Sequence, residues 1–204
     1  GQAERVAPTD PGGRAPKSLT LADLYGMFPG YPNASNKIVG KLRTSPKAKV
    51  NVAAGFPSLL AAMDAAKIAT PERVAAFLTT LCFESWCEYN ALQVSFPLRL
   101  YTGRGFIQLT GVGNYTDAGD YLGIDLIGTE ELAERARSLE WSARIATWYW
   151  TVARPNCNAY ADSLRMGKIN AAIGYPISGS NDTDRCMVFG YALRYLTGSV
   201  PGGI

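Results

Sequence analysis

The sequence predicts a mainly α-helical domain with one small β element. Two observations support this fold class. Apolar residues recur at helical spacing along most of the chain, and several of these segments begin or end at typical capping residues. A short strand is predicted only at residues 104–109, around the brief apolar pair Phe106-Ile107. With 204 residues, 47% of them hydrophobic, the chain can form one domain with a sizeable core.

The clearest predicted helix begins at Thr70 and Pro71, an N-cap residue followed by proline at the first helical position. Its apolar residues from Val74 to Cys82 share one stripe. The other predicted helices, in chain order, are 20–28, 35–42 (the weakest), 58–69, 114–122, 130–138, 140–154 and 182–197. Within 140–154 the residues expected to face inward are Trp141, Ile145, Trp148, Tyr149 and Val152.

Residues 1–17 are rich in proline, glycine and charge and show no periodicity. This composition is typical of a linker or an excised interdomain segment. Residues 18–204 are then expected to form the folded domain, flanked by other domains in a longer protein.

The composition argues against several classes of function. The chain has no histidine, which excludes Ser-His-Asp and Cys-His nucleophiles and argues against catalytic zinc, so acid–base groups are expected to be carboxylates. The net charge of +3 suits an anionic partner, but no dense Lys/Arg cluster indicates nucleic acid. No apolar run approaches the roughly 20 residues that span a bilayer, and no signal peptide is visible. Four scattered cysteines do not indicate a disulfide scaffold.

Glu84 is the first candidate for acid–base chemistry. It lies near the end of the Thr70 helix and borders the apolar stripe, where partial desolvation would favour the protonated form that a general acid needs. On position alone, a solvated glutamate at the helix edge is the more common case. Glu88, four residues on, would approach a substrate from the same side as Glu84, so it is expected to be an exposed charge at the helix end.

The stretch YTGRGFIQLTGVGNY, residues 101–115, is the second candidate. Its glycines let the backbone approach a ligand, and Arg104, Gln108, Thr110 and Asn114 could face a cleft. Gln108 and Thr110 would share one face of a strand. The alternative is a glycine-rich turn with solvated polar residues. Arg185, on the last helix, could be a surface charge or a clamp on the site.

Four segments resemble glycoside hydrolase family 19, the family of chitinases and phage endolysins. The stretch 101–115 is similar to the family's Gly-Arg-Gly-x-Ile-Gln-Leu-Thr/Ser signature, and FLTTLCFES to the helix that ends in the acid. KINAAIG resembles its Ile-Asn-Gly-Gly segment, and DRCMVFGYALRYLTG its final Asp-Arg helix. The resemblance implies an α+β, lysozyme-like domain of two helical lobes, with a small β element lining a substrate cleft.

The resemblance also implies roles for individual residues. Glu84 would be the general acid and Thr110 would hold the attacking water. The residues expected to bind the sugar are Tyr101, Arg104, Gln108, Asn114, Asn170 and Arg185. No metal or cofactor is implied, because carboxylates and a positioned water suffice for this chemistry.

Three departures from the family pattern stand out. Phe83 replaces the usual histidine before the acid, Ala171-Ala172 replace two glycines, and Gln93 occupies the position of a second glutamate, the base. An amide cannot accept the proton of water. The kept spacing favours a deliberate Glu→Gln variant; the alternatives are that Glu88 substitutes or that the domain is a weak enzyme.

The resemblance implies an endolysin that hydrolyses the β-1,4 bonds of bacterial peptidoglycan with inversion, and its base is expected to be disabled at Gln93. It would be made in a host bacterial cytoplasm and act on the cell wall after release, with no membrane insertion and no nucleic acid partner. The alternatives are a chitinase and a non-catalytic glycan-binding domain.

Overall fold

The computed structural model describes residues 18–94, 97 and 99–198. The predicted linker, residues 1–17, lies outside this range. The elements in chain order are α1 (Leu21–Met27), β1 (Pro29–Pro32), β2 (Ile38–Lys41), α2 (Pro46–Ala65), α3 (Pro71–Ser85), α4 (Val112–Leu122), α5 (Glu130–Glu134), α6 (Ser142–Trp148), α7 (Cys157–Asp162), α8 (Met166–Ala172) and α9 (Ser180–Thr197). A 3-10 turn, Arg135–Arg137, follows α5, and a π-helical turn, Tyr149–Ala153, continues α6.

The prediction of a mainly α fold with a small β element is confirmed. Helix α3 runs through the core and packs chiefly on α9. The helix begins where the sequence predicts, because the Thr70 side chain caps it by accepting a hydrogen bond from the Arg73 amide. Pro71 fits the first turn, where a backbone N–H would have no partner within the helix. Its apolar stripe, including Val74, Phe77 and Leu81, is fully buried.

The predicted helix at 35–42 is wrong, because these residues belong to an antiparallel hairpin formed by β1 and β2. The Asn33 side-chain oxygen accepts hydrogen bonds from the amides of Ser35 and Lys37, which closes the turn. Asn36 and Gly40 both have positive φ angles. Local hydrogen bonds from asparagine compete with helix formation, and a positive φ interrupts it.

Helix α2 begins at Pro46, well before the start predicted at Pro57-Ser58. The Ser45 side chain accepts from the Ala48 amide and caps the helix, with Pro46 in the first turn. Pro57 lies inside the helix. The predicted start at residue 58 rested on Pro57, because proline is common in the first turn of a helix. In the structure, packing of the apolar face, including Val52 and Leu59, keeps the helix continuous through this proline.

The predicted 140–154 helix is divided between α6 and the π-helical turn. A π turn adds one residue to a helical turn, so it changes which side chains face inward. Trp150 is fully buried and packs edge-on against Phe77 at 5.2 Å between ring centroids. Val152 is 42% exposed, so its predicted inward position is wrong. The two short helices α7 and α8 have no counterpart among the predicted elements.

Residues 104–109 form a tight turn and not the predicted strand. The backbone of Arg104 pairs with Leu109 in both directions, at 3.2 and 3.0 Å, and Gly105 and Gln108 between them have positive φ angles. The turn rests against residues 91–93, since the Gly105 amide donates to the Ala91 carbonyl at 2.8 Å. A strand needs consecutive extended residues, and a residue with a positive φ interrupts it. This explains why a turn forms here and not the predicted strand.

Two buried serines fix this turn to the helices. Ser85 donates from its hydroxyl to the Phe106 carbonyl at 2.8 Å. Ser142 accepts from the Phe106 amide at 3.0 Å and donates to the Tyr89 carbonyl at 2.7 Å. The turn is therefore held between the end of α3 and the start of α6.

Replacing Gly105 with alanine is expected to destabilise the domain by about 3 kcal/mol. Its φ is +79°, and a Cβ there would lie 2.5 Å from the Ala136 carbonyl oxygen. Gly123→Ala is the matched control, because Gly123 has a φ of +71° but nothing within 4 Å of an added Cβ. The control should lose only about 1 kcal/mol in chemical denaturation. Equal losses in the two variants would mean that the close approach at Gly105 is relieved without cost.

Candidate active site

A cleft of about 800 Å³ lies between the end of α3, the 104–109 turn and the segment that follows α8. Its walls are formed by Arg43, Glu84, Trp86, residues 91–94, residues 107–110, Asn114, Tyr149, Arg154, Ile173 and Tyr175. It adjoins a cavity of about 480 Å³ that shares Gln93 and Thr110. It adjoins another of about 560 Å³ that shares Asn114 and Arg154.

Glu84 lies in the last turn of α3, and its side chain is 15% exposed. Its Oε1 accepts two hydrogen bonds, from the Arg185 Nη2 at 3.0 Å and from the Tyr175 hydroxyl at 2.9 Å. Both contacts use the same oxygen. No residue in the described part of the chain bonds to Oε2, so that oxygen is available to a ligand in the cleft.

Tyr175 and Arg185 form a stacked pair behind this carboxyl group. The Arg185 guanidinium carbon lies 3.8 Å from the centroid of the Tyr175 ring and 5.2 Å from that of Phe83. Burial, together with the negative charge of Glu84, raises the pKa of Tyr175 to about 12. The phenol therefore stays protonated and donates. Phe83, where the family pattern has histidine, contributes its ring to the packing around Arg185.

Gln93 is exposed and lines the same cleft as Glu84. Its side-chain oxygen accepts from the Gly103 amide at 3.1 Å and lies 3.5 Å from the Thr102 hydroxyl. Within the described residues, the side-chain nitrogen has no partner. The protein thus uses only the acceptor oxygen of this side chain, which a carboxylate would also supply.

Three more predicted residues, Gln108, Thr110 and Asn114, also line the cleft. Thr110 donates its hydroxyl to the Gln108 carbonyl at 2.7 Å, which leaves the hydroxyl oxygen free to accept. Asn114 donates from Nδ2 to the Thr110 carbonyl at 3.0 Å, and Gln108 donates from Nε2 to the Gly105 carbonyl at 3.0 Å. The Gln108 amide donors are occupied, since Nε2 also donates to the Ala91 carbonyl at 3.3 Å, while the side-chain oxygens of Gln108 and Asn114 remain to accept from a ligand.

Arg104 does not face the cleft, contrary to the expectation from the sequence. Its side chain is 1% exposed and pairs with Glu134 at 3.2 Å. Its Nη1 donates to the Leu100 carbonyl at 2.7 Å and to the Tyr115 hydroxyl at 3.0 Å. A buried guanidinium with its donors occupied supports the loop; it is not available to a ligand.

The structure places the remaining three predicted sugar-binding residues outside the cleft wall. Asn170 is fully buried and donates to Asp182 Oδ1 at 2.8 Å. Arg185 is also buried, and it contacts the cleft residues Glu84 and Tyr175 without lining the cleft itself. Tyr101 lines the adjoining smaller cavity, and its hydroxyl accepts from the Gly128 amide at 2.9 Å.

Glu88 is not the exposed charge expected from the sequence. Its side chain is 2% exposed, and its two oxygens accept from Arg43 Nε at 2.7 Å and Asn51 Nδ2 at 2.9 Å. The expectation assumed that α3 continues, but the helix ends at Ser85, and the next two residues have positive φ angles. The chain therefore turns, and Glu88 points into the protein instead of lying beside Glu84.

Among the cleft residues that were not identified from the sequence, five are charged or aromatic: Arg43, Trp86, Tyr149, Arg154 and Tyr175. Tyr175 could have been found, because it follows the matched segment KINAAIG directly. Arg43 carries no such signal, since it reaches the cleft from the loop between β2 and α2, far along the chain from the motifs.

The charges of the cleft wall are unequal. Among its described residues Glu84 is the one carboxylate, while Arg43 and Arg154 are cations.

In the whole described part of the chain, no group of three or more His, Cys, Asp or Glu side chains could hold a metal ion. None of the described helices has both the length and the apolar character needed to cross a bilayer.

Comparison with known proteins gives partial matches. The chain is 35% identical over 104 residues to chitinase 8 of rice, Oryza sativa subsp. japonica, covering 51% of this chain and 35% of the rice protein. It is 32% identical over 89 residues to a glycosyl hydrolase family 19 domain-containing protein of Haemophilus influenzae, covering 44% of this chain and 39% of that protein. These matches span little more than a third of either relative's length. No protein-family model matches the chain.

The fold is similar to the crystal structure of chitinase C from Streptomyces griseus, with a TM-score of 0.58 at 22% identity, covering 91% of this chain and 79% of that one. The chain therefore shares its mainly helical fold with that chitinase. Parts of its sequence are similar to a chitinase and to a glycosyl hydrolase family 19 domain-containing protein.

Proposed function

We propose that the chain is an endolysin-type hydrolase domain that cleaves β-1,4 glycosidic bonds of bacterial peptidoglycan with inversion. The observation that carries the proposal is the geometry of Glu84, a cleft carboxyl group held at Oε1 with Oε2 available to a ligand. Protonated at Oε2, this group can donate to the leaving oxygen of a glycosidic bond. Arg185 and Tyr175 then stabilise the carboxylate that remains.

The second part of an inverting reaction is a water that attacks from the opposite face of the sugar and loses a proton to a base. Thr110 and Gln93, which both line the cleft, can accept hydrogen bonds from such a water. Gln93 cannot take its proton, however, so the reaction is expected to be slow. We propose Gln93 as the residue that occupies the base position.

The charge of the cleft supports peptidoglycan as the substrate. Two of the relatives and neighbours above are named chitinases, and chitin is the alternative substrate. Chitin is uncharged, whereas peptidoglycan carries carboxylates on its lactyl groups or stem peptides. A cleft wall with two arginines and one carboxylate, on a chain of net charge +3, suits the anionic polymer.

We further propose that the protein is made in a host bacterial cytoplasm and reaches the bacterial cell wall on release.

A second candidate function is glycan binding without cleavage. It is favoured by one observation, that the described wall of the cleft contains no carboxylate besides Glu84. Such a domain would keep the sugar-binding oxygens of Gln108, Thr110 and Asn114 and would have lost the base.

Release of reducing ends from purified peptidoglycan and from chitin tests these functions in one assay. The proposal expects slow but measurable release from peptidoglycan that exceeds release from chitin. Faster release from chitin would make the protein a chitinase. Binding to either polymer with no release above that of a Glu84→Gln variant would establish the non-catalytic function.

Replacing Tyr175 with phenylalanine is expected to lower kcat about tenfold, because a hydrogen bond to an ionised carboxylate is lost while Arg185 remains. KM should change little, since the hydroxyl that is removed donates its hydrogen bond to Glu84. The control is Tyr160→Phe, on α7 and outside the cleft wall. The role of Tyr175 would be refuted if both variants turned over substrate at the unmodified rate.

A further inference from the structure

We propose that Arg43, stacked on Trp86, forms a subsite that binds a carboxylate substituent of the glycan chain. This inference rests on the proposed function and names the feature of the substrate that the cleft selects. Both residues line the cleft with Glu84. Neither belongs to the motifs that define the acid or the 104–109 turn.

The position of Arg43 is fixed by its ion pair with the buried carboxylate of Glu88. Arg43 Nε donates to Glu88 Oε2 at 2.7 Å, and Asn51 holds the other Glu88 oxygen at 2.9 Å. The Arg43 side chain is 49% exposed, whereas that of Glu88 is 2% exposed. The anchor is therefore inside the protein, and the guanidinium extends from it into the cleft.

The orientation of the guanidinium is fixed by Trp86. The guanidinium carbon of Arg43 lies 4.2 Å from the centroid of the Trp86 indole ring, within the range of cation–π stacking. Trp86 is the left-handed residue that ends α3, with a φ of 52°, and it is 42% exposed. This backbone position, two residues after Glu84, presents the ring at the cleft surface instead of in the core.

The terminal nitrogens of Arg43 remain for a ligand. The bond to Glu88 uses Nε, and no residue in the described part of the chain accepts from Nη1 or Nη2. A guanidinium held in one plane with two parallel donors matches the geometry of a carboxylate. A neutral sugar offers hydroxyls and amides but no such group. Glu88 offsets part of the positive charge, so the gain in affinity is expected to be about tenfold.

The experiment measures binding in a Glu84→Gln background, so that no substrate is cleaved. The three probes are chitotetraose, a peptide-free peptidoglycan tetrasaccharide with free lactyl carboxylates, and the same tetrasaccharide with its stem peptides, whose carboxylates lie farther from the ring. The test variant is Arg43→Met combined with Glu88→Gln, since Arg43→Met alone would leave a buried charge unpaired. Arg194→Met, which removes an exposed charge outside the cleft, is the matched control, and Glu88→Gln alone measures how much the anchor contributes.

The expected result is that the background protein and Arg194→Met bind at least one carboxylate-bearing probe about tenfold more tightly than chitotetraose. Glu88→Gln should keep part of this preference, because its amide oxygen can still accept from Arg43 Nε, and the preference should disappear in Arg43→Met/Glu88→Gln. The peptide-free probe identifies the lactyl carboxylate as the ligand if it shows the preference; otherwise the ligand is the stem peptide. A preference that is absent from the background protein, or unchanged in the double variant, overturns the subsite. Failure of all three probes to bind would instead contradict the proposed function itself, and with it the subsite.

Discussion

Replacing Gln93 with glutamate is expected to raise kcat on peptidoglycan by about two orders of magnitude or more, because general-base assistance is worth roughly 10²–10⁴ in rate. The new carboxylate should fit without rearrangement. The glutamine oxygen already accepts from the Gly103 amide at 3.1 Å, and a carboxylate oxygen can keep this bond. KM should change little, since the two side chains have nearly the same shape.

The pH profile gives this prediction a second measurement. A carboxylate base works only when ionised, so the Gln93→Glu variant should gain an acidic limb in which kcat falls as the pH drops below the pKa of the new group. Gln93→Asp is the matched control, because it adds the charge but is one methylene shorter, and it should gain less. No gain from Gln93→Glu, together with a loss from Glu88→Gln, would assign the base to Glu88.

Replacing Glu84 with glutamine is expected to abolish measurable cleavage, a loss of about three orders of magnitude or more if measured in the Gln93→Glu background. The amide cannot donate a proton to the leaving oxygen, while its oxygen can still accept from Tyr175 and Arg185. The fold should therefore be retained, with an unchanged circular dichroism spectrum, while the melting temperature should fall because the buried Arg185 loses its charged partner.

The control for this substitution is Glu131→Gln, which removes an exposed glutamate on α5. It should leave the rate unchanged. Turnover by Glu84→Gln at the rate of this control would contradict the assignment of the acid.

The sequence predicted the elements whose signals are local. Helix α3 follows from Thr70, Pro71 and its apolar stripe. Helix α4 ends at Leu122 as predicted, and Gly123 after it adopts the left-handed conformation. The hairpin was not predicted, because the turn that makes it depends on the side-chain bonds of Asn33 rather than on an alternating pattern.

The candidate site shows the same division between local and long-range information. Gln108, Thr110 and Asn114 were predicted to line a cleft and do so, although the strand expected to present them is a turn. Arg104 in the same motif was misjudged, because its partner Glu134 is 30 residues away in sequence. Burial of Glu88 likewise depends on Arg43 and Asn51, which no local pattern connects to it.

The cleft adjoins two further cavities, one at Gln93 and Thr110 and the other at Asn114 and Arg154. For the proposed hydrolase, this geometry has a consequence at the scale of the polymer. A glycan strand that extends from the cleft into these cavities would be bound by its middle, without needing a free chain end. Each cut would then divide a long strand into two long pieces, so that a wall would lose its mechanical strength well before it released small soluble fragments.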